Sequence, residues 1–307
     1  MQRTIRIGTR ESQLAVWQAT LVKDLLAQHN FSSELIFIKS EGDIDLKTPL
    51  YEMGVQGIFT KSLDIALLNH NIDIAVHSMK DVPTHLPIGI KQAAVLKRAS
   101  YKDLCVFKTD KTFLSKENYI ANIATSSIRR KAQWLHKYPQ HQLHNLRGNV
   151  NTRLKKLQTE NWDAAIFAAA GLERINLRPQ NSVELDWMLP APAQGAIMVV
   201  CRDEDDFCFD ACHFFNDANT ALCTKIERDF LKTLMGGCST PISALAEIED
   251  DELFFRGNIL SVDGIKKVEI EKVLPVEMAT FIGKTSAQEL LENGGRQIAD
   301  EIQHAAK

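Results

Sequence analysis

Over the first two-thirds of the chain, short runs of alternating or continuous apolar residues are separated by stretches whose apolar residues return every three or four positions. TIRIG at 4–8 has the alternation of a strand, and Leu14, Trp17, Leu21 and Leu25 after it form the stripe of a helix. LIFIK at 35–39 predicts a second strand, residues 59–69 a helix with Ile58, Leu63, Ala66 and Leu67 inward, and DIAVH at 73–77 a third strand. This β-α-β-α-β order is that of a mostly parallel sheet with helices on its faces. The order then repeats, with strands expected at 103–107, 120–124, 142–146 and 163–167 and helices at 127–137, 150–159 and 168–175. After the proline-rich LPAPAQG (189–195), IMVVC at 197–201 is an apolar strand expected to return to the first sheet. From about 217 the pattern changes to a long helix ending at Gly236-Gly237, strands at 243–249, 252–260 and 265–274, and a C-terminal helix. The chain therefore predicts two α/β sheet domains and a smaller α+β domain. The expected boundaries are 1–97 with a return segment 195–214, then 98–194, then 217–307.

Composition narrows the classes of function. The chain has 307 residues, 45% hydrophobic and 24% charged, with a formal net charge of −3. That balance gives no general attraction for nucleic acid or an acidic membrane. No apolar run approaches the length of a membrane span, and MQRTIRIGTR enters a strand pattern without the apolar core of a signal peptide. A cytoplasmic protein is expected, with its six cysteines reduced. Cys208 and Cys212, in CFDAC, stand one helical turn apart rather than on the C-x-x-C knuckle of structural zinc, so no metal is expected.

In open α/β sheets ligands bind beyond the carboxyl ends of strands, and three polar clusters fall there: GTRES (8–12), HSMKD (77–81) and ATSSIRR (124–130). Two sheet domains presenting such loops to each other would form a cleft. Arg10, Arg129, Arg130, Arg147, Arg153 and Arg174 lie at strand ends or helix starts, scattered along the chain. Guanidinium forks and helix N-termini bind carboxylate or phosphate, so together they point to a ligand with several anionic groups. Taken singly, each reads more readily as an ordinary surface ion-pair partner; it is the six together at strand ends that favour the ligand. Asp81, in VHSMKDVP, follows a buried-type strand and could stabilise a cation or move a proton, with an ion pair or loop hydrogen bond as the rival reading. Cys238, in GGCSTP (236–241), stands on a turn with no disulfide or metal partner nearby in sequence.

VHSMKDVP (76–83), TSSIRR (125–130), LRGNVNTR (146–153), AAGLERI (169–175), QGA (194–196) and GGCSTPI (236–242) follow RIGTRESQLA (6–15) in an order that resembles the porphobilinogen deaminase (hydroxymethylbilane synthase) family. The resemblance covers nearly the whole chain, and the combination is specific where no single motif is. It implies an α/β fold of two periplasmic-binding-protein-like (type II) sheet domains around a cleft plus the smaller C-terminal domain, acting as a monomer. It also implies a transferase that condenses four porphobilinogen molecules onto a dipyrromethane cofactor, releasing ammonia and hydroxymethylbilane. By matching position, Cys238 carries that cofactor through a thioether and Asp81 is the catalytic carboxylate. Arg129, Arg130, Ser127 and Lys80 fall to the cofactor, and Arg10, Ser12, Phe59, Thr125, Ser126, Arg147, Arg153, Arg174 and Gln194 to substrate and growing chain. No nucleic acid, membrane or metal enters.

The chain departs from the family pattern in places. TPLYEMGVQGIF (48–59) has Glu52 and Gln56 where lysines are usual, Ala124 replaces a glycine, and LMGGC lacks an acidic residue before the glycine pair. Two α/β domains around a cleft also describe solute-binding proteins. Asp81 together with Cys238 favours the enzyme.

Overall fold

The computed structural model describes residues 3–39, 60–116, 118–234 and 240–305. They form two compact units, one of residues 3–39, 60–99 and 195–222, the other of residues 100–194 and 223–305.

The first unit opens with β1 (Ile5–Thr9), α1 (Gln13–Gln28), β2 (Ser33–Phe37), α2 (Lys61–Leu68), β3 (Ile74–Ser78) and β4 (Ile90–Val95). β1 pairs in parallel with both β2 and β3, as the β-α-β-α-β reading expects. The helix stripe differs from that reading. α1 buries Gln18, Ala19, Val22 and Leu26, while Leu21 and Leu25 are only partly covered and Trp17 is 37% exposed. The buried face is turned about one residue from the predicted line because small Ala19 and β-branched Val22 fit closest to the sheet, leaving the bulky indole outside. Ile58 lies outside the described residues. Leu63, Ala66 and Leu67 of α2 are buried as expected.

The second unit begins with β5 (Asp103–Phe107), β6 (Asn122–Ala124), α3 (Ile128–Lys137), β7 (Gln142–His144), α4 (Val150–Thr159), β8 (Ala164–Ala168), α5 (Ala169–Glu173) and β9 (Ser182–Glu184). Its sheet has the order β7-β6-β8-β5-β9, with β6 parallel to β7 and β8 and β5 antiparallel to β8 and β9. The chain then re-enters the first unit as β10 (Ile197–Arg202), the return strand anticipated for IMVVC. It lies antiparallel between β3 and β4 and completes the order β2-β1-β3-β10-β4. Both sheets thus share one plan, in which the strand just past a crossing, β5 or β10, takes the fourth place against the chain direction of its parallel neighbours. Every residue of β5 and β10 is buried, which is why both read as continuous apolar runs. β4 and β9, missed in the sequence, are sheet-edge strands with weaker patterns.

Next come α6 (Asp206–His213), α7 (Ala218–Thr233) and the antiparallel sheet β11 (Ile242–Glu249), β12 (Glu252–Leu260) and β13 (Lys267–Pro275). Phe230 of α7 meets Phe255 of β12 edge-on at 5.3 Å and anchors that sheet. The expected C-terminal helix is two, α8 (Ile282–Leu290) and α9 (Arg296–Ala305), because Gly294 between them adopts φ 102°. No helix among the described residues is long and apolar enough to cross a membrane.

Candidate active site

The first unit gathers its candidate chemistry at the carboxyl ends of β1 and β3. Their loops, the first turns of α1 and Thr60 before α2 line a recess of about 80 Å³ that includes Arg10, Ser12, Gln18, His77, Ser78 and Asp81. Ser12 caps α1, its hydroxyl accepting from Ala15 N at 3.4 Å. Beyond Ser78 the chain makes one tight turn, Met79–Asp81, and Met79 N donates to Ala196 O at 3.0 Å. Val82-Pro83 follows and ends the turn, leaving Asp81 half-buried at the recess wall. Burial, reinforced by the Arg10 cation, brings the His77 imidazole down to about 4, so it is neutral near pH 7. Lys80, on the same turn, is half-buried and is not among the residues lining the recess. Gln18, which the sequence reading missed, is 2% exposed and its amide donates to Ser78 Oγ at 2.9 Å. Its signal was a polar residue on the inward face of an apolar helix.

The second unit's candidates cluster around the start of α3. Thr125 N bonds His144 O at 2.8 Å, Thr125 Oγ1 accepts from Ser127 N at 3.2 Å, and Ser127 Oγ caps α3 through Arg130 N at 3.4 Å. The Ser126 hydroxyl donates to Leu146 O and accepts from Leu146 N at 3.0 Å, fastening the next strand end. There Gly148 has φ 112°, Asn149 caps α4 by accepting from Thr152 N at 2.9 Å, and Arg153 Nε donates to Gly148 O at 2.7 Å. A left-handed residue lets the chain reverse straight into α4. It brings Arg147, 3% exposed, and half-buried Arg153 to one corner. Arg174, which ends α5, is half-buried, and burial brings its guanidinium down to about 10.

Three expected binding residues, Arg129, Arg130 and Gln194, face inward more than the sequence suggested. Arg129 and Arg130 are 4% and 6% exposed, and both meet Asp103, a residue that sequence reasoning passed over. Gln194, 1% exposed, donates to Tyr101 O at 2.7 Å and to Asp103 Oδ1 at 2.9 Å. A lone aspartate opening an apolar strand carries no motif. Cys238 and Phe59 lie outside the described residues, as do Glu52 and Gln56.

Cys105, Cys201, Cys208, Cys212 and Cys223 are all buried and form no disulfide. Burial raises the thiols of Cys105, Cys208 and Cys212 well above their ordinary value and that of Cys201 to about 11, which removes them as nucleophiles. Among the described residues no cluster of His, Cys, Asp and Glu is arranged to hold a metal.

Comparison with known proteins agrees with this arrangement. Residues 5–210 match the family model described as "Porphobilinogen deaminase, dipyromethane cofactor binding domain", and residues 221–292 match "Porphobilinogen deaminase, C-terminal domain". The porphobilinogen deaminase of Pelobacter propionicus is 40% identical over 304 residues, covering 98% of this chain and 97% of that protein. That of Chlorobium phaeobacteroides is 39% identical over 311 residues, covering 98% of this chain and 99% of its own. With both of its units matched, the chain belongs to the porphobilinogen deaminase family.

Proposed function

We propose that the protein is a porphobilinogen deaminase, a transferase that joins four porphobilinogen molecules head to tail on a covalent dipyrromethane primer and releases hydroxymethylbilane by hydrolysis. The observation that carries this reading is the recess that holds Asp81 beside Arg10 at the ends of two parallel strands. In each condensation the C–N bond of the substrate's aminomethyl group breaks, ammonia leaves, a C–C bond forms to the terminal pyrrole, and that pyrrole gives up its ring proton. Positive charge develops on the substrate ring as ammonia departs. Asp81 supplies a fixed carboxylate to stabilise that charge and to accept and return the proton. Neutral His77 adds no competing cation beside it. Arg10 takes a substrate carboxylate, and Ser12 lends its hydroxyl and a helix N-terminus.

The residues around α3 fit a polycarboxylate primer. Arg129 Nε is a buried donor without a hydrogen-bond partner, an orphan that a ligand oxygen would satisfy, and the helix N-terminus at Ser127 favours negative charge. Arg129, Ser127 and Lys80 would hold the dipyrromethane, with Cys238 as its thioether anchor, while Arg130, expected in the same role, spends its nitrogens on Asp103 and Ile166 O and braces the cluster. The described cysteines are buried, which supports a thiol elsewhere as the attachment point. When bound, the primer supplies the pyrrole carbon that attacks the first substrate. Arg147, Arg153, Arg174, Thr125, Ser126 and Gln194 line the path of the lengthening chain, each added ring bringing two carboxylates to be met by cations, and Phe59 stacks on a ring. We take the working form to be a cytoplasmic monomer. Consumption of porphobilinogen and appearance of hydroxymethylbilane, followed for the parent and for Asp81→Asn, test the reading. Turnover by the parent and its loss in the variant are expected, and equal rates would refute it.

A further inference from the structure

Asp103, the first residue of β5, has no exposed surface, and its carboxylate gathers groups from two other parts of the second unit, α3 and Gln194. Oδ1 accepts from Arg130 Nη2 at 2.7 Å, from Arg130 Nε at 3.1 Å and from Gln194 Nε2 at 2.9 Å, while Oδ2 lies 2.8 Å from Arg129 Nη2. The third nitrogen of Arg130, Nη1, donates to Ile166 O at 2.9 Å, so that guanidinium is committed on every side. Arg129 is not. Its Nη1 donates to Leu189 O at 2.8 Å and Nη2 meets Asp103, but its buried Nε has no hydrogen-bond partner. One carboxylate therefore stands against two buried guanidinium groups, and the cluster keeps one positive charge in surplus. A buried surplus charge is costly until an anion offsets it.

We propose that Asp103 is a positioning residue that divides the work of the arginine pair. It takes Arg130 as its own counter-ion and leaves Arg129 as the single surplus cation for a carboxylate of the primer. Without Asp103 the two adjacent guanidinium groups would repel each other and neither would hold its place. Without Arg130, Asp103 would cancel Arg129 and the cluster would have nothing to offer an anion. The proposal rests on the function given above.

A double-mutant cycle tests it, with Asp103→Asn, Arg130→Gln and the two combined, in the full chain. The readouts are the fraction carrying primer by intact mass, and kcat and KM for porphobilinogen per primer-loaded molecule. Each single variant should lose at least about fivefold in loaded fraction or in kcat per loaded molecule. The double variant, which restores one surplus cation, should come back to within about fivefold of the parent on both. Single variants with the parent's loaded fraction and kcat, or a double variant no better than the poorer single, would overturn the proposal. A purely structural role would lower melting temperatures yet leave both the loaded fraction of the folded protein and kcat per loaded molecule unchanged. If a single variant does not accumulate folded, the double decides: loaded fraction and kcat within about fivefold of the parent support the proposal, and a larger loss in either overturns it. A parent that neither carries primer nor turns over would instead refute the proposed function, a result separate from these.

Discussion

Asp81 and Arg10 can each be changed without disturbing the sheet behind them, because both sit in loops past strand ends. Asp81→Asn keeps the size and shape of the side chain and removes its charge. Its kcat for porphobilinogen consumption is expected to fall by about 10²-fold or more, the usual scale for a group that stabilises transition-state charge or moves a proton. Its melting temperature should stay within a few degrees of the parent's. Arg10→Gln should act chiefly on KM, since a substrate carboxylate loses one partner in ground state and transition state alike; a kcat loss larger than the KM rise would argue for a direct catalytic part. These two residues were legible in the sequence because strand-end loops and charged side chains coincide there. Gln18 showed only as a polar residue on an apolar helix, and Asp103 not at all, because its importance comes from burial that only the fold creates.

At the scale of the element, α3 holds the second unit together. Gln133 of α3 donates to Leu189 O at 2.9 Å and to Ser243 Oγ at 3.0 Å, and accepts from Leu189 N at 2.8 Å. His136 Nδ1 lies 2.7 Å from Gly264 O in the β12–β13 turn. Gly264 has φ 77°, and a Cβ there would come within 2.5 Å of Ala132 O and 2.6 Å of His136 N. Gly264→Ala should therefore destabilise the protein by roughly 2 kcal/mol or more, from left-handed strain and a backbone clash together. Urea melts would show it as a lowered midpoint; an unchanged midpoint would mean that the turn can move off α3. The sequence marked α3, β5 and α4 closely, since a capping serine or asparagine and buried strand patterns are local signals. It could not show that the β12–β13 turn at Gly264 presses on α3, because that contact depends on how the antiparallel sheet packs.

For the molecule as a whole, acid stability follows from groups whose titration the fold has moved. His77 is held neutral down to about pH 4 against 6.5 for the free side chain, and burial also lowers His141. Between those values the unfolded chain takes up protons that the folded chain refuses, so stability falls as pH drops below 6.5, by at most ~3 kcal/mol for His77. Burial raises Asp64 to about 6, which acts the other way: the folded chain binds that proton more tightly, and stability declines as pH rises toward 6. Comparing urea melts of the parent and His77→Gln from pH 7 to pH 4.5 separates the two, since the variant should lose less stability across that range; parallel losses would mean His77 is protonated in the folded protein. Two units built on one sheet plan were legible from the repeated alternation of strands and helices, and the return of β10 from its apolar run. β4 and β9 were not, because Lys91 and Gln92 interrupt the apolar run of the first and the second is only three residues long. The central claim of the proposed function is that Cys238 carries a dipyrromethane primer made from porphobilinogen. The most direct test is the intact mass of the denatured protein beside that of Cys238→Ala, both after incubation with porphobilinogen. A mass excess of two linked pyrrole units on the parent alone is the expected result. A parent without added mass, or a variant that carries the same addition, would contradict the account.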